Sequence, residues 1–151
     1  MNKLKFIPIP QLICDPVRIG LKTQGSQASL KISDGGFPCR SCLNNIAEGD
    51  EAILFTYSPF LQKSPYFSQG PVFIHKTACL SYSAKPDVPE IIRHSLLSIR
   101  FYNTREELIK ATVLPGEEIE TPFKDNRDIE NTSVIHIHFA RPGCFAVKCH
   151  V

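Results

Sequence analysis

Four residues with metal-ligating side chains fall into two closely spaced pairs, Cys39-x2-Cys42 and His75-x3-Cys79. Thiolates and imidazoles at such spacings are the usual ligands of structural zinc sites. A Cys3His set fills all four tetrahedral positions, so this site would staple the fold and leave no open position for a reactive water. The first hypothesis is therefore a structural zinc centre, and no cofactor other than zinc is expected.

The Cys39-x2-Cys42 pair also permits two other interpretations. A redox pair needs one thiol with a lowered pKa, usually supplied by the N-terminus of a helix that follows the motif. The stretch LNNIAEGDE after Cys42 disfavours a long helix because of its asparagines and its early glycine. Reduced, partly buried thiols on a turn are the third interpretation, which is common for cytoplasmic cysteines. The residues themselves leave all three interpretations open.

A predicted hairpin would bring the two pairs together. EAILFTY (51–57) and VFIH (72–75) are rich in strand-forming residues and are separated by a loop with several prolines. An antiparallel pairing places the start of the first strand beside the end of the second. The cysteine pair that precedes residue 51 would then meet His75 and Cys79, and the metal hypothesis depends on this fold-back.

The loop at residues 58–71 carries three aromatic residues, namely Phe60, Tyr66 and Phe67. We expect this loop to lie beside the thiols, where its rings would offer contact area to a ligand. The alternative is that the rings close over the core of the domain itself. Arg40 and Lys63 are the nearest candidates to receive an anionic ligand, although an arginine beside a turn more often forms a surface ion pair.

The C-terminal stretch SVIHIHFARPGCFAVKCHV predicts a second hairpin. A three-residue loop, Arg141-Pro142-Gly143, would pair Phe139 with Phe145 and place every large apolar side chain on one face. The opposite face would then carry the polar residues of the hairpin, namely His136, His138, Lys148 and His150.

This histidine face is the second candidate site. Histidines two residues apart on a strand point the same way and could supply two imidazoles to a metal. Lys148, however, would lie opposite His136, and the hairpin contains no acidic residue to orient an imidazole. A polar strand face that is exposed to solvent or covered by a helix is the simpler interpretation.

The remaining patterns predict short elements. They are an edge strand at KFIPIP, a half-buried strand at ASLKIS, a helix capped by Asp87 that ends near His94, strands at LLSIRFY and IKATVL, and the first turn of a helix in PGEEIETPFKDNRD. Together they predict an α+β fold in one compact domain over residues 1–151, built mainly from antiparallel hairpins with two short helices. The secondary structure of residues 1–35 is the hardest to predict from the sequence.

The charge balance and the apolar runs of the sequence limit the kinds of partner that the protein is expected to bind. Lysine and arginine number 17 against 15 aspartates and glutamates, and they form no basic block, which argues against nucleic acid. No apolar run approaches the roughly 20 residues needed to cross a bilayer, and prolines interrupt the N-terminal apolar stretch where a secretory leader would be continuous. We expect a cytoplasmic protein whose partner is a small molecule or another protein.

Several short motifs occur in an order that resembles a known family: GFPCR, SPYF, GPVFIH, LLSIRFY and ARPGCFAVK. From about Gly36 to the C-terminus the chain resembles the bacterial family named domain of unknown function 1203. The resemblance implies a single-domain bacterial protein of mixed α and β structure, and it supplies no activity, cofactor or catalytic residue. Many members differ from this chain at the positions of Cys42 or His75, so the resemblance does not imply the metal site.

Two functional hypotheses follow from these observations. The first is a rigid binding or interaction domain, stapled by zinc, which has no reactive thiol in its Cys3His set. The second is a small enzyme that uses Cys39 or the histidines His136, His138 and His150, and it requires a perturbed thiol or an open metal site beside a concave pocket. We favour the first because no set of acid, base and nucleophile emerges from the sequence.

Overall fold

The structure is a computed structural model, which describes residues 4–20, 28–83, 85, 87–124 and 129–150. Antiparallel sheet dominates and the helices are few and short, which confirms the predicted fold class. The described strands are β1 Lys5–Ile7, β2 Ser29–Ile32, β3 Phe37–Pro38, β4 Asn45–Ile46, β5 Glu51–Tyr57, β6 Gly70–His75, β7 Leu96–Tyr102, β8 Leu108–Pro115, β9 Val134–Phe139 and β10 Phe145–His150. The described α-helices are α1 Gln11–Arg18 and α2 Glu90–Arg93, and two 3-10 turns span Gly116–Glu118 and Thr121–Phe123. None of the helices in these ranges is both long and apolar enough to cross a membrane.

The strands form two main sheets and one small ribbon. The larger sheet has the order β1-β10-β9-β7-β8, the smaller one has the order β2-β5-β6, and β3 pairs with β4 alone. A parallel bridge between Cys39 and Phe73 ties the β3-β4 ribbon to the edge of the smaller sheet. This ribbon carries the first cysteine pair, so its attachment to β6 sets the position of the candidate ligands.

Two apolar clusters hold these layers together. One face of the larger sheet packs under α2 and the 3-10 turns, where Leu97, Ile99 and Ile137 are completely buried. Its other face meets the smaller sheet and α1 through a cluster that includes Phe145, Tyr57 and Val17. The larger sheet is therefore covered on both faces, which positions β6 and β10 side by side.

The predicted hairpin of β5 and β6 is confirmed. Ala52 lies opposite His75, and the antiparallel pairing continues to Tyr57 opposite Gly70. The strands LLSIRFY and IKATVL also form, as β7 and β8, and KFIPIP contributes an edge strand, β1. The ASLKIS segment forms β2 as predicted, but all four of its residues are exposed because no layer covers this edge of the smaller sheet.

The predicted helix starts are wrong in detail. The extended backbone of Pro89 (ψ 142°) delays the start of α2 to Glu90, so Asp87 is not its N-cap, although the helix does end before His94. The PGEEIETPF segment forms two 3-10 turns, because Pro122 supplies no backbone N–H to an α-helix. The sequence prediction misses α1 entirely.

The C-terminal hairpin has the predicted pairing along most of its length. Val147 lies opposite Ile137 and Lys148 lies opposite His136, as expected. A β-bulge between Phe145 and Val147 then shifts the register by one residue, so Phe145 pairs with His138 and not with Phe139. A bulge turns the following side chain to the other face of the strand. The prediction that all large apolar residues share one face is therefore wrong for Phe145.

The histidine face is neither open to solvent nor covered by a helix. His136 is 1% exposed and His138 is 5% exposed, because the smaller sheet and the 58–71 loop cover them. The ring of His136 lies 4.8 Å from that of Phe60 and 4.7 Å from that of Tyr102, and its Nδ1 atom has no hydrogen-bond partner among the described residues. Burial, with Lys148 and Arg100 nearby, lowers the pKa of His136 to about 3.

A neutral buried histidine makes stability depend on pH. The folded pKa of His136 lies below the value of about 6.5 in an unfolded chain, so protonation favours unfolding and stability falls as the pH drops below about 6.5. The free energy of unfolding should fall between pH 7 and pH 5 in the wild type. In His136→Phe we expect this fall to be smaller by about 2 kcal/mol. Denaturant unfolding at the two pH values measures this difference.

Two comparisons make this result specific. His138 is also buried, and its pKa is lowered to about 4 by burial and by Arg100 and Arg40, so His136→Phe should leave part of the acid sensitivity in place. Leu61→Gln changes an exposed residue of the 58–71 loop without adding or removing a titratable group, so it should leave the loss between the two pH values as it is in the wild type. An unchanged loss in His136→Phe would contradict the buried neutral state of this ring.

Candidate metal centre

The four predicted ligands lie close together in the structure. The thiol sulfurs of Cys39, Cys42 and Cys79 and a ring nitrogen of His75 all lie within 4.8 Å of one another. The fold-back of β5 onto β6 produces this convergence, because the ribbon with Cys39 lies against β6 just before His75. Among the described residues this is the only group of three or more potential ligands that converges in this way, and it could hold a metal ion.

Two of the six separations between the donor atoms match the edges of a tetrahedral site, and none of the six exceeds 4.8 Å. Zinc bonds of about 2.3 Å to sulfur and about 2.0–2.1 Å to nitrogen require tetrahedral edges of about 3.8 Å between two sulfurs and about 3.6 Å between sulfur and nitrogen. The sulfurs of Cys39 and Cys79 are 3.8 Å apart, and the sulfur of Cys42 lies 3.6 Å from Nδ1 of His75. The separation of the Cys39 and Cys79 sulfurs lies far beyond the S–S bond of about 2.05 Å in a disulfide, and all three cysteines of the group are free thiols.

Backbone hydrogen bonds fix the turn that carries Cys39 and Cys42. The amide of Leu43 donates to the carbonyl of Cys39 (2.9 Å), and the amide of Cys39 donates to the carbonyl of Asn44 (3.0 Å). Leu43 closes the turn with a φ of 61°, a left-handed conformation that is uncommon for a non-glycine residue. The side chain of Leu43 is buried in the larger apolar cluster, which offsets the cost of this conformation.

Hydrogen bonds from the backbone and from α1 surround the sulfurs. The amide of His75 donates to the sulfur of Cys39 (3.4 Å), as amides around thiolate ligands do. Arg18 donates from Nη2 to the sulfur of Cys79 (3.4 Å) and from Nε to the carbonyl of His75 (3.0 Å). Gln11 donates to the carbonyl of Cys79 (3.3 Å) and accepts from Arg18, so one helix supports the second ligand pair.

The charges around the four donors suit a divalent cation. Three thiolates and one neutral imidazole around a divalent ion carry a net charge of −1. The side chain of Arg18, which is 7% exposed, brings a positive charge to Cys79 and also pairs with Asp15 at 3.3 Å. Hydrogen bonds from Cys39 and Cys42 lower the pKa of Cys79, and the bonds to Cys39 and Cys79 raise that of Cys42. The three thiols therefore perturb one another, as expected where potential metal ligands lie this close together.

Arg18 and Gln11 were not predicted from the sequence. Pro16 lies inside α1, and an internal proline normally argues against a helix. The sequence therefore gives no sign that residues 11–18 form a helix that packs beside the cysteines. The i, i+7 spacing of Gln11 and Arg18 is the one signal that, once α1 is known, places both side chains on the same helix face.

Arg40 is not the surface residue that the sequence suggested. It is 1% exposed, and its guanidinium donates to the carbonyls of Phe145 (2.9 Å) and Pro38 (2.8 Å) and to the sulfur of Cys144 (3.3 Å). The expectation of a surface ion pair is wrong, because the ribbon folds under the β9-β10 hairpin and takes the side chain inside.

The aromatic loop lies at the other end of the hairpin from the thiols. Residue pairs at the loop end, such as Tyr57 and Gly70, are five positions from the pair of Ala52 and His75, which is about 17 Å along a strand. The prediction that the loop stands beside the thiols is therefore wrong. Glu106 anchors the loop instead, through the amide of Leu61 (2.8 Å).

The rings of the loop serve different purposes. Phe60 is buried against Tyr102 and His136, as the core-covering interpretation requires. Tyr66 remains 44% exposed, and Phe67 is half-buried under the ammonium group of Lys63, 3.7 Å from the ring centroid. These residues do not join Arg40 in a common site.

The comparisons with known proteins give a family and no activity. The model of the family described as "Protein of unknown function (DUF1203)" matches residues 36–150. The chain belongs to this family, which confirms the resemblance noted in the sequence. No curated protein and no solved structure matches the chain.

Proposed function

We propose that this DUF1203 chain is a small binding domain whose fold is stapled by a structural zinc ion. The observation that carries the proposal is the convergence of Cys39, Cys42, His75 and Cys79 with edges of 3.8 Å and 3.6 Å. Three sulfurs and one nitrogen in a tetrahedral arrangement are the preferred ligands of zinc. All four positions would be filled by protein, so the ion would stabilise the fold and would not activate water.

The staple would add a bond network to contacts that already join these elements. The β3-β4 ribbon meets β6 through the Cys39–Phe73 bridge and the stacked rings of Phe37 and Phe73, and the segment with Cys79 follows β6 without regular structure. Zinc would tie both to the smaller sheet, and Arg18 would add α1 to the same unit. A domain organised in this way offers a fixed surface for a small molecule or a protein in a cytoplasmic setting.

The enzyme hypothesis receives less support from the site. Cys39 is completely buried within the metal cluster, and His136 and His138 are enclosed by aromatic rings. Closed surroundings of this kind keep a substrate away from both groups. His150 lies at the edge pairing of β10 with Lys5 and does not join the other two histidines in a ligand cluster of described residues.

Metal analysis of the purified protein tests the proposal. We expect about one equivalent of zinc per chain in protein purified without a chelator, and loss of that zinc in Cys42→Ser. Cys144→Ser is the matched control, because Cys144 lies outside the cluster and is half-buried, as Cys42 is. Wild-type protein that holds no zinc after incubation with zinc salt and dialysis would refute the staple.

A further inference from the structure

A cavity of about 710 Å³ lies beside the metal centre, between the two sheets. This volume is in the range of sites for small organic ligands, about 300–1,000 Å³. Both sheets contribute to its wall, and most of its lining is apolar, as at Leu54, Phe73, Ile91, Leu96 and Phe139. The cavity therefore suits the apolar body of a ligand.

Arg40 supplies the one deeply buried charge in the wall of this cavity. Its five N–H groups have three described acceptors, which are two backbone carbonyls and the thiol of Cys144. None of the ion pairs among the described residues includes Arg40. The ring of Phe139, whose centroid lies 5.3 Å from the guanidinium carbon, adds a cation–π contact. Since these partners are neutral and do not cancel a buried charge, the guanidinium favours an anion in the cavity.

The rim of the cavity carries charges of both signs. Arg141 and Glu90 are exposed there, so solvent screens them, and His94 is paired with Glu117 at 2.9 Å. Water screens the field of Arg40 much less, because this side chain lies in the low-dielectric interior. The charge that a ligand meets inside the cavity is therefore positive.

We propose that the cavity binds a small organic anion, with its apolar body between the sheets and its anionic group beside Arg40 and Cys144. This inference rests on the proposed binding function and names the class of ligand. The metal centre contributes indirectly, because Arg40 lies between the ligands Cys39 and Cys42, and a stapled turn holds its guanidinium in place. Arg40 is a binding residue in this account, and the cluster positions it.

Cys144 offers a reporter at the site. It lines the cavity and is half-buried, whereas Cys14 and Cys149 are completely buried. In zinc-loaded protein the other three thiols would be metal ligands, so Cys144 should be the cysteine that an alkylating reagent modifies fastest. Iodoacetamide, which is neutral, reacts by forming an S–CH2 bond with the thiolate while iodide leaves and the thiol proton passes to solvent.

The experiment measures binding of 4-phenylbutyrate, phenyl phosphate and the neutral 4-phenylbutanamide to zinc-loaded wild-type protein by calorimetry. We expect at least one of the anions to bind about tenfold or more tightly than the amide, which is the advantage of one charge-assisted interaction of about 1.5 kcal/mol. Comparing the affinities of 4-phenylbutyrate and phenyl phosphate identifies whether the cavity prefers a carboxylate or a phosphate. Equal affinity for the amide and both anions, or no binding of any of them, would overturn the proposal.

Alkylation of Cys144, followed by peptide mass spectrometry, provides a second measurement that needs no variant of Arg40. The anion that binds should slow the modification of Cys144 by iodoacetamide, and the amide at the same concentration should not. Arg40→Lys should weaken anion binding if it folds, since lysine lacks the planar fork of donors. If zinc is bound but neither anion protects Cys144, the cavity proposal fails while the staple stands. If the wild type holds no zinc but an anion protects Cys144, the staple fails while the cavity proposal stands.

Discussion

Cys42→Ser is expected to lower the free energy of unfolding by about 4 kcal/mol, the stabilisation given by a ligand present at about 1,000 times its dissociation constant. For a domain of this size that loss corresponds to a fall in melting temperature of about 8–16 °C. The reason is that serine cannot replace a thiolate ligand, and the remaining donors bind zinc too weakly to hold the ribbon against β6. Thermal unfolding in buffer with a fixed concentration of free zinc measures the shift.

Cys144→Ser and a chelator supply the controls for this prediction. Serine at position 144 keeps an acceptor for Arg40 and lies outside the metal cluster, so its stability should stay within about 1 kcal/mol of the wild type. A strong chelator should bring the wild type down to the stability of Cys42→Ser and leave Cys42→Ser unchanged. A wild type that does not respond to the chelator would show that no metal supports this fold.

Gly116→Ala is expected to cost about 3 kcal/mol or more, at the upper end of the range for overpacking a core. A Cβ atom at this position would overlap the carbonyl oxygen of Ile92 and press on the backbone of Arg93. These are backbone atoms at the end of α2, so no side-chain rotation relieves the contact. The hydrogen bond from the amide of Gly116 to Ser95 (2.8 Å) also holds the two segments together.

Gly70→Ala is the matched control for the glycine prediction. A Cβ at Gly70 would meet nothing within 4 Å, and this glycine also lies at the start of a regular element. Denaturant unfolding of both variants should therefore separate a steric cost from the general effect of replacing glycine. Equal stability of the two variants would contradict the close packing of α2 against the first 3-10 turn.

The four candidate ligands could be predicted to converge because the strands that position them are clear in the sequence. EAILFTY and VFIH consist largely of strand-forming residues, and their antiparallel pairing places the chain that precedes Ala52 beside His75. The ligand types then define the chemistry. At this site the strand propensities of the sequence agree with the observed pairing of the strands, so the site could be predicted.

Tertiary contacts account for the features that could not be predicted. Because Pro16 lies inside α1, the sequence does not predict this helix. The position of the Arg18 guanidinium beside Cys79 could therefore not be predicted either. The bulge near Phe145 depends on packing against Tyr57 in the other sheet, and residue types within the hairpin do not reveal it. Burial of Arg40 arises in the same way, because the hairpin that covers it lies more than 100 residues away in the chain.

Zinc K-edge X-ray absorption of the purified wild-type protein tests the central claim most directly. We expect a zinc coordination shell of three sulfur ligands at about 2.3 Å and one nitrogen ligand at about 2.0–2.1 Å. His75→Ala should remove the nitrogen scatterer contributed by the imidazole. A zinc shell dominated by oxygen and nitrogen, or protein that binds no zinc at all, would contradict the staple formed by Cys39, Cys42, His75 and Cys79.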